Sequence, residues 1–234
     1  MRLLERYRDV DVFCLQEILK GGDGKTERGE NKSLYEDIVK LLKEHTGYFL
    51  EYIEDGAYYG ESSKNLDFKF GIACFVKNTH EQSLVGEISL YDSKVKWGDY
   101  DGRLAVGTAQ AVRVVDINVV NAHGVWQGST KGDSEVRVEQ SRRIIDLANI
   151  TGRKKIICGD LNVSPETECL KMIENMPMKN LTKEYGVTST RTTLNAKDSK
   201  FADYILVSKN IKVNNFKVLS EEVSDHCALY VDFE

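Results

Sequence analysis

The amino-acid sequence predicts an α/β (α+β) fold in which two packed β-sheets carry helices on their outer faces. Two observations lead to this prediction. Many short segments are rich in β-branched and aromatic residues, as strands are, and only a few segments have the apolar period of a helix. The order of the strands within the sheets does not follow from periodicity.

The first half of the chain is predicted to hold two helices and six strands. Residues 2–8 form the end of a helix, and residues 9–17 form a buried strand that ends in polar residues. A capping box, Ser33-Leu34-Tyr35-Glu36, opens the second helix. Its inner face is formed by Leu34, Ile38, Leu41 and Leu42. The other strands are predicted near residues 48–54, 70–77, 83–91, 103–110 and 112–121.

The second half alternates helices and strands. A helix is predicted over residues 134–150, a buried strand over 154–162, and a helix that starts at Ser164-Pro165-Glu166, with serine as cap and proline in the first turn. Three late strands are predicted over residues 201–208, 212–219 and 226–233. No linker-like tract and no repeat interrupts the chain, so residues 1–234 are predicted to form a single domain.

The composition excludes several classes of protein. Hydrophobic residues make up 41% of the 234 residues and charged residues 29%, which is typical of a globular protein. No apolar run approaches the ~20 residues of a membrane-spanning helix. The first residues lack the apolar core of a signal peptide. We therefore predict a cytoplasmic protein without a membrane span.

The five cysteines do not form a metal-binding or redox motif, since none has CxxC spacing. Four of them lie in apolar, strand-like runs, where a reduced cysteine behaves as a small hydrophobic residue. Reduced thiols fit the predicted cytoplasmic location. The cysteines are Cys14, Cys74, Cys158, Cys169 and Cys227.

The net charge argues mildly against a strong nonspecific nuclease. The chain carries 37 acidic and 32 basic residues, which gives −5 at pH 7. Proteins that bind duplex DNA without sequence preference usually present a basic face, and the sequence shows no basic stripe.

Polar and ionisable residues stand at the ends of five predicted strands. They are Glu17 in FCLQE, Asn121 and His123 in VVNAHG, Asp160 and Asn162 in IICGDLN, Asp203 in FADYILVS, and Asp225 and His226 in VSDHCAL. Each alone has an ordinary explanation, because a strand-end glutamate is usually solvated and Asx residues often serve turns. Their recurrence at five strand ends predicts a functional site.

The residue types at these strand ends indicate the chemistry. Hard oxygen ligands such as Glu17, Asp160, Asn162 and Asp225 suit Mg²⁺ or Mn²⁺ rather than zinc. Two of the four histidines of the chain also stand at these strand ends. Histidines beside carboxylates suit proton transfer and charge stabilisation at a phosphate.

The motifs LQE, NAHG, GDLN, ADYILVS and SDHCAL occur in this order along nearly the whole chain. In order and approximate spacing they resemble the endonuclease/exonuclease/phosphatase superfamily, which has the deoxyribonuclease I-like fold. The resemblance implies a four-layered α/β sandwich of two mixed sheets flanked by helices. It also implies an active site at one edge, where the strand-end loops meet.

The resemblance implies catalytic roles for both motif histidines. His226 would be held by Asp203 and would activate the attacking water or bind the phosphate. His123 would contact the phosphate and protonate the leaving oxygen. This arrangement is that of metal-assisted phosphoryl transfer.

The same resemblance assigns the metal and the remaining polar groups. Glu17 and Asp225 would hold a divalent cation, Mg²⁺ or Mn²⁺. Asp160 would orient the attacking water, and Asn162 would donate a hydrogen bond to a phosphoryl oxygen.

One part of the family pattern is absent from this sequence. Family members begin with a core strand that ends in asparagine, just before the first helix, whereas Met1 falls inside that helix here. The first core strand is therefore expected to be missing, which would leave unpaired backbone groups on its neighbours. We expect lower stability, a rearranged edge or a strand-exchanged dimer.

Residues next to the motifs are candidates for substrate binding. Asn121, Trp126 and Lys131 are predicted to bind substrate, and packing is an equally plausible role for Trp126. The tyrosine- and glycine-rich stretch 54–65 is predicted either to form the opposite wall of the site or to be an ordinary hairpin connection.

The sequence thus predicts a Mg²⁺-dependent phosphoesterase acting on a small-molecule or nucleic-acid phosphoester, with no protein partner. Two alternatives stay open. One is a DNA-repair endonuclease or exonuclease acting on duplex DNA. The other is an inactive relative that binds a phosphorylated ligand, if the missing strand disables the site.

Overall fold

The computed structural model describes residues 1–26, 29–52, 67–91, 104–105, 107–128 and 130–234. The helices are α1 Arg2–Arg6, α2 Leu34–Leu41, α3 Glu135–Asn149, α4 Glu168–Glu174 and α5 Leu181–Glu184. The strands are β1 Val12–Lys20, β2 His45–Glu51, β3 Lys69–Lys77, β4 Gln82–Ser89, β5 Leu104–Ala105, β6 Thr108–Val114, β7 Ile117–His123, β8 Trp126–Gln127, β9 Lys154–Asp160, β10 Met178–Asn180, β11 Asp203–Ser208, β12 Val213–Val218 and β13 Leu229–Phe233.

The largest sheet is mixed and has six strands in the order β10-β11-β9-β7-β6-β4. The β7–β9 pair is parallel, and α3 lies in the crossover between these two strands. The other pairs in this sheet are antiparallel. The parallel pair brings the carboxyl ends of β7 and β9 to the same edge.

A second layer of strands packs on one face of this sheet. It consists of the three-stranded sheet β1-β3-β2 and the two-stranded β12-β13 ribbon. In the core between the layers, Cys74 of β3 packs with Val112 of β6, and Val231 of β13 packs against Ile156 of β9. The two layers thus exclude water from one face of each sheet.

Helices cover both outer faces. On β3, Ala73 and Phe75 point away from the six-stranded sheet and pack against Ile38 of α2, as the alternation of side chains along a strand requires. On the far side, Ile144 of α3 and Leu170 of α4 belong to the core cluster that covers the six-stranded sheet. This arrangement confirms the predicted α/β sandwich.

The predicted strands 103–110 and 112–121 were wrong in their boundaries. The structure has a β6–β7 hairpin, Thr108–Val114 and Ile117–His123, with its turn at Val115 and Asp116. Val115 adopts a positive φ of 56°. A β-branched residue is rarely found there, so the sequence carried no turn signal.

Two predicted helix starts also differ from the structure. Ser33 precedes α2, but its side chain makes no cap bond and its hydroxyl donates to Asn31 Oδ1 at 3.1 Å. Helix α4 starts at Glu168 rather than at Ser164-Pro165-Glu166, and Thr167 is its cap, accepting from Leu170 N. Ser134 caps α3 as the predicted helix requires.

The late strands are shorter than predicted, and this changes where the motif residues lie. β13 starts at Leu229, so Asp225 and His226 precede the strand instead of forming its first residues. His226 is held by an isolated antiparallel bridge to Arg191. The two motif residues therefore lie on an irregular segment next to the sheet.

Strands β1 and β13 belong to separate sheets. Within the described residues, β1 pairs with β3 and β13 pairs with β12, and no backbone ladder joins the two. A strand-exchanged dimer stays a prediction.

Among the described residues, no helix is both long and apolar enough to cross a bilayer.

Gly159, in the GDLN motif, allows β9 to approach β7 closely. Its φ is +126°, and a Cβ there would lie 2.0 Å from the Ala122 carbonyl oxygen. Only glycine adopts this conformation readily. We expect Gly159→Ala to lower the free energy of unfolding by about 2–4 kcal/mol in a denaturant titration.

Gly132→Ala is the matched control for this prediction. A Cβ at Gly132 meets no heavy atom within 4 Å. The two substitutions therefore add the same methyl group with and without a clash. Equal stability of the two variants would contradict the close approach of β7 and β9.

Candidate active site

Three motif residues form a row across adjacent strands of the six-stranded sheet. Asp160 of β9 is the direct partner of Asp203 in the antiparallel β11 and of His123 in the parallel β7. Directly opposed residues share a face and have side chains about 5 Å apart. The strand register thus brings together residues that lie up to 80 positions apart in the chain (Asp203 and His123).

Asp203 orients His226. His226 Nδ1 lies 2.9 Å from both carboxylate oxygens of Asp203, and Thr190 Oγ1 donates to Oδ2 at 3.0 Å. Asp203 is buried, and burial raises the pKa of its carboxyl above the ordinary value, although the hydrogen bond from His226 acts in the opposite direction. Burial lowers the pKa of His226, but the hydrogen bond and charge of Asp203 outweigh it, so the pKa is raised above its ordinary value.

Asp160 lies between the two histidines. Its Oδ2 is 3.7 Å from His226 Nε2 and 3.9 Å from His123 Nε2, and its Oδ1 accepts from Asn162 N at 2.8 Å. Burial raises the pKa of Asp160, but the positive charge of His123, Lys131 and His226 outweighs this. The carboxyl pKa is therefore lowered, and Asp160 is a carboxylate at neutral pH.

Glu17 reaches the site because β1 carries a bulge. The register with β3 shifts between Leu15 and Ile18, and Glu17 adopts a positive φ of 57°. A bulge places two residues opposite one and redirects a side chain. Glu17 Oε1 consequently lies 4.0 Å from His123 Nε2, at the rim of the row.

Asn121 holds this bulge from the facing sheet. Its Nδ2 donates to the carbonyl oxygens of Leu15 at 3.2 Å and Ala73 at 3.0 Å, and its Oδ1 accepts from Gln16 Nε2 at 2.6 Å. Asn121 is fully buried. The sequence predicted a substrate contact, whereas these bonds join the two sheets beside Glu17.

Tyr52, which the sequence did not single out, connects the bulge to His123. Its Oη accepts from Glu17 N at 3.3 Å and lies 2.5 Å from His123 Nδ1. If the phenol donates to Nδ1, the proton of His123 is on Nε2 and faces Glu17 and Asp160. Tyr52 follows β2 directly, in a segment without a chemical motif, and only its contacts to Glu17 and His123 reveal it.

Lys131 and Asn162 lie on the loops beyond β8 and β9. Lys131 Nζ donates to Asn162 Oδ1 at 3.1 Å, and Asn162 Nδ2 donates to Gly124 O at 3.1 Å. These two bonds fix the orientation of the Asn162 amide, whose backbone has a positive φ of 53°. Both side chains are buried, and they form one wall beside Asp160.

The ammonium group of Lys131 is unusually acidic. Burial lowers its pKa to about 8. The charges of Asp160 and Asp203 act in the opposite direction, and those of Arg191 and Lys197 lower it further. Lys131 is therefore a cation at neutral pH that loses its charge in mildly alkaline solution.

Arg191 is a further residue that the sequence did not reveal. Its Nη1 contacts both Asp225 Oδ2, at 3.0 Å, and His226 Nε2. Its side chain is only 4% exposed, against 43% for Asp225. It lies in an irregular segment before β11 that has no chemical motif, so no local pattern pointed to it.

The donor set fits a hard divalent cation. Among the described residues, Asp160, Asp203 and His226 offer ligand atoms within 4.8 Å of one another. The oxygens of Asp203 are engaged by His226 and Thr190. Glu17 and Asp225 add more exposed carboxylates at the rim. Oxygen donors of this kind suit Mg²⁺ and Mn²⁺.

The remaining predicted residues lie around the site or outside the described part. Trp126 is half-buried in the short β8 strand, which follows His123 and pairs with β5. The predicted wall at 54–65 lies entirely outside the described residues, because the structure describes none of residues 53–66. The cysteines form no disulfide, and Cys14, Cys74 and Cys158 lie in the core.

The sequence profile of the Endonuclease/Exonuclease/phosphatase family matches residues 1–226. The chain belongs to this family. Membership confirms the resemblance that the five motifs showed. The row formed by His123, Asp160 and Asp203 with His226 is therefore the candidate active site of this family member.

Three similar proteins illustrate the range of the family. A DNA-(apurinic or apyrimidinic site) endonuclease of Arabidopsis thaliana is 28% identical over 165 residues, which cover 68% of this chain and 43% of that protein. A mannosyl-6-phosphatase of Bacteroides thetaiotaomicron has a TM-score of 0.66 at 17% identity, over 100% of this chain and 88% of the other. The human Nocturnin catalytic domain, with a bound sulfate anion, has a TM-score of 0.60 at 20% identity, over 100% and 83%.

These likenesses differ in what they show. The two structural neighbours establish the fold. The chain spans less than half the length of the Arabidopsis relative, 43% of it.

Tyr52→Phe tests the link between the bulge and His123. Loss of the Oη contact frees the His123 ring, so we expect kcat for a p-nitrophenyl phosphoester to fall about 10-fold or more. The control is Tyr185→Phe, because Tyr185 is exposed and its ring packs at a tilt against Phe216, away from the site residues. An unchanged kcat in Tyr52→Phe would show that the phenol does not position His123.

The Lys131 pKa predicts a pH dependence. As the pH rises through about 8, Lys131 loses its charge, so KM for an anionic phosphoester should rise. Steady-state kinetics between about pH 6.5 and 9.5 measure this change. Lys131→Met should have a high KM at all pH values. Lys171→Met, on the exposed side of α4, should retain the rise of KM with pH. A rise that persists in Lys131→Met would exclude Lys131 as its source.

Proposed function

We propose that this protein is a Mg²⁺-dependent phosphoesterase that hydrolyses a phosphodiester or phosphomonoester by in-line attack of water. The observation that carries the proposal is the position of Asp160. One of its oxygens faces the Nε2 atoms of both His226 and His123, at 3.7 and 3.9 Å. These separations exceed a direct hydrogen bond and suit groups that share an oxygen of water or substrate.

His226 acts on the attacking water or on the phosphate. With Nδ1–H donated to Asp203, its Nε2 is the proton acceptor that faces the site. Asp203 fixes this tautomer and stabilises the imidazolium form. Asp160, whose carboxyl pKa is lowered, orients the water from the neighbouring strand.

His123 acts on the side of the phosphoryl group from which the leaving group departs. When the Tyr52 phenol donates to its Nδ1, Nε2–H is available to a phosphoryl or leaving-group oxygen. A positioned donor of this kind contributes about 10²- to 10⁴-fold to a rate. The two histidines thus divide the proton transfers between attack and departure.

Divalent-cation binding is proposed for Glu17 and Asp225. Held there, Mg²⁺ or Mn²⁺ would offset negative charge on the phosphoryl oxygens. The bulge in β1 and the hydrogen bonds of Asn121 keep Glu17 at the rim for this purpose. Asn121 is therefore proposed as a positioning residue, in place of the predicted substrate contact.

Substrate binding is proposed for the wall beyond β8 and β9. In this proposal Lys131, which donates to Asn162 Oδ1, and the second N–H of the Asn162 amide would bind the phosphoryl group, and the half-buried Trp126 would contact the rest of the substrate. A cytoplasmic location and the absence of a protein partner stay predictions.

A duplex-DNA endonuclease is the second candidate, favoured by the Arabidopsis relative named for abasic-site cleavage. The two candidates differ in how binding responds to salt. Contacts to several DNA phosphates make affinity fall steeply with ionic strength. Cleavage of a duplex with one abasic site, measured at two salt concentrations beside bis-p-nitrophenyl phosphate, distinguishes them.

The deciding experiment combines a metal titration with two variants. We expect His226→Ala to reduce Mg²⁺-dependent kcat about 10³-fold and Glu17→Gln to raise the Mg²⁺ concentration for half-maximal rate about 10-fold or more. Chelation should stop turnover without unfolding the protein, as circular dichroism would show. The controls are His80→Ala and Glu51→Gln, whose side chains pair at the surface with Asp11 and Lys69.

Two outcomes would count against the proposal. Full activity of His226→Ala would remove its catalytic role. Metal-dependent phosphate binding without turnover of any phosphoester would instead support the inactive, ligand-binding alternative.

A further inference from the structure

Arg191 is a nearly buried cation whose hydrogen-bonding capacity is only partly used. Two of its partners, Asp225 Oδ2 and His226 Nε2, both contact the single atom Nη1. Its Nε is buried and has no hydrogen-bond partner among the described residues. A guanidinium has five N–H donors, and leaving a buried donor unpaired is costly. An anion in the site would accept these bonds.

The present partners of Arg191 are the groups that catalysis requires. His226 Nε2 must face water or phosphate to act, yet it now faces Arg191. Asp225 must face the cation to bind it, yet it now pairs with Arg191 at 3.0 Å. A divalent cation at Asp225 would meet a like charge, which disfavours both. Arg191 must therefore move for the site to operate.

The backbone limits how far Arg191 can move. Thr192 N donates to Asp225 O at 3.1 Å, and Cys227 N donates to Thr190 O at 2.9 Å, on either side of the Arg191–His226 bridge. The Arg191 Cα is thus fixed beside the motif, and only side-chain torsions can change. The guanidinium stays within the site, where a phosphoryl group is the anion that it can reach.

The charges around the site also favour movement of the Arg191 guanidinium toward a phosphoryl group. Arg191 is close enough to Lys131 to affect its pKa, which burial lowers most. Two cations thus converge on the site of a protein with a net charge of −5. A planar guanidinium binds phosphate in bidentate geometry, which a lysine does not reproduce.

We propose that Arg191 is a substrate-binding residue whose guanidinium exchanges from Asp225 and His226 to the phosphoryl group, so that phosphate binding and divalent-cation binding are coupled through this side chain. The inference rests on the proposed function, which supplies the cation at Asp225 and the phosphoryl group. The exchange also makes the site selective for anionic esters, because a neutral ester would not release Arg191 from Asp225.

Calorimetric titration with Mn²⁺ and inorganic phosphate tests the coupling without turnover. In Arg191→Gln, Mn²⁺ alone should bind about two- to fivefold tighter, because a partly exposed ion pair no longer competes. Inorganic phosphate, added with Mn²⁺ present, should bind about 10-fold weaker or worse, because charged hydrogen bonds are lost. In the wild type, phosphate should strengthen Mn²⁺ binding, and this effect should shrink in the variant.

Two further variants keep the test decisive. Arg191→Lys retains the charge, so it should compete with Mn²⁺ as the wild type does but recover only part of the phosphate affinity. Arg142→Gln, at an exposed position on α3, should change neither affinity. Thermal unfolding of each variant verifies the fold.

The outcomes separate the inference from the proposed function. Unchanged affinities in Arg191→Gln, or Mn²⁺ and phosphate affinities that both fall, would overturn the coupling and leave a structural role. Glu17→Gln in the same titration addresses the metal site itself. Mn²⁺ binding that is insensitive to Glu17 would refute that part of the proposed function, whatever Arg191 does.

Discussion

Two carboxylates, Asp160 and Asp203, lie opposite each other on neighbouring strands inside the sandwich, and the site is organised around their burial. A buried carboxylate without compensation is strongly destabilising, so each needs hydrogen bonds and positive charge from its surroundings. His226 and Thr190 supply these to Asp203, and the Asn162 N–H serves Asp160. The groups that make the burial tolerable belong to the site that we propose acts on a phosphoryl ester.

Backbone strain is concentrated where side chains must be redirected. Glu17 and Asn162, two of the three non-glycine residues with positive φ in the described chain, both point into the site. Such conformations cost about 1–3 kcal/mol each and persist only when the surroundings hold them. Asn121 holds the first from the facing sheet, and Lys131 with Gly124 holds the second. The packed sandwich thus stabilises a geometry that the local sequence would not adopt alone.

The site holds two cations among its carboxylates, although the chain as a whole is acidic. These cations are Lys131 and Arg191, and both are nearly buried. A diffuse basic surface would attract nucleic acid in general, whereas two cations in one cleft recognise a single phosphoryl group. This distribution supports the proposed recognition of the substrate at its reacting phosphate.

The sequence by itself determined the fold class and the residue types that carry the chemistry, because strand periodicity and motif order are local properties of the chain. The tertiary structure alone decided which groups meet. The turn at Val115 has no turn signal, and Tyr52, Thr190 and Arg191 stand in segments without a motif. Asn121 contacts Gln16 across 105 positions of the chain. Contacts of this kind depend on strand register and sheet packing, and no pattern of neighbouring residues encodes them.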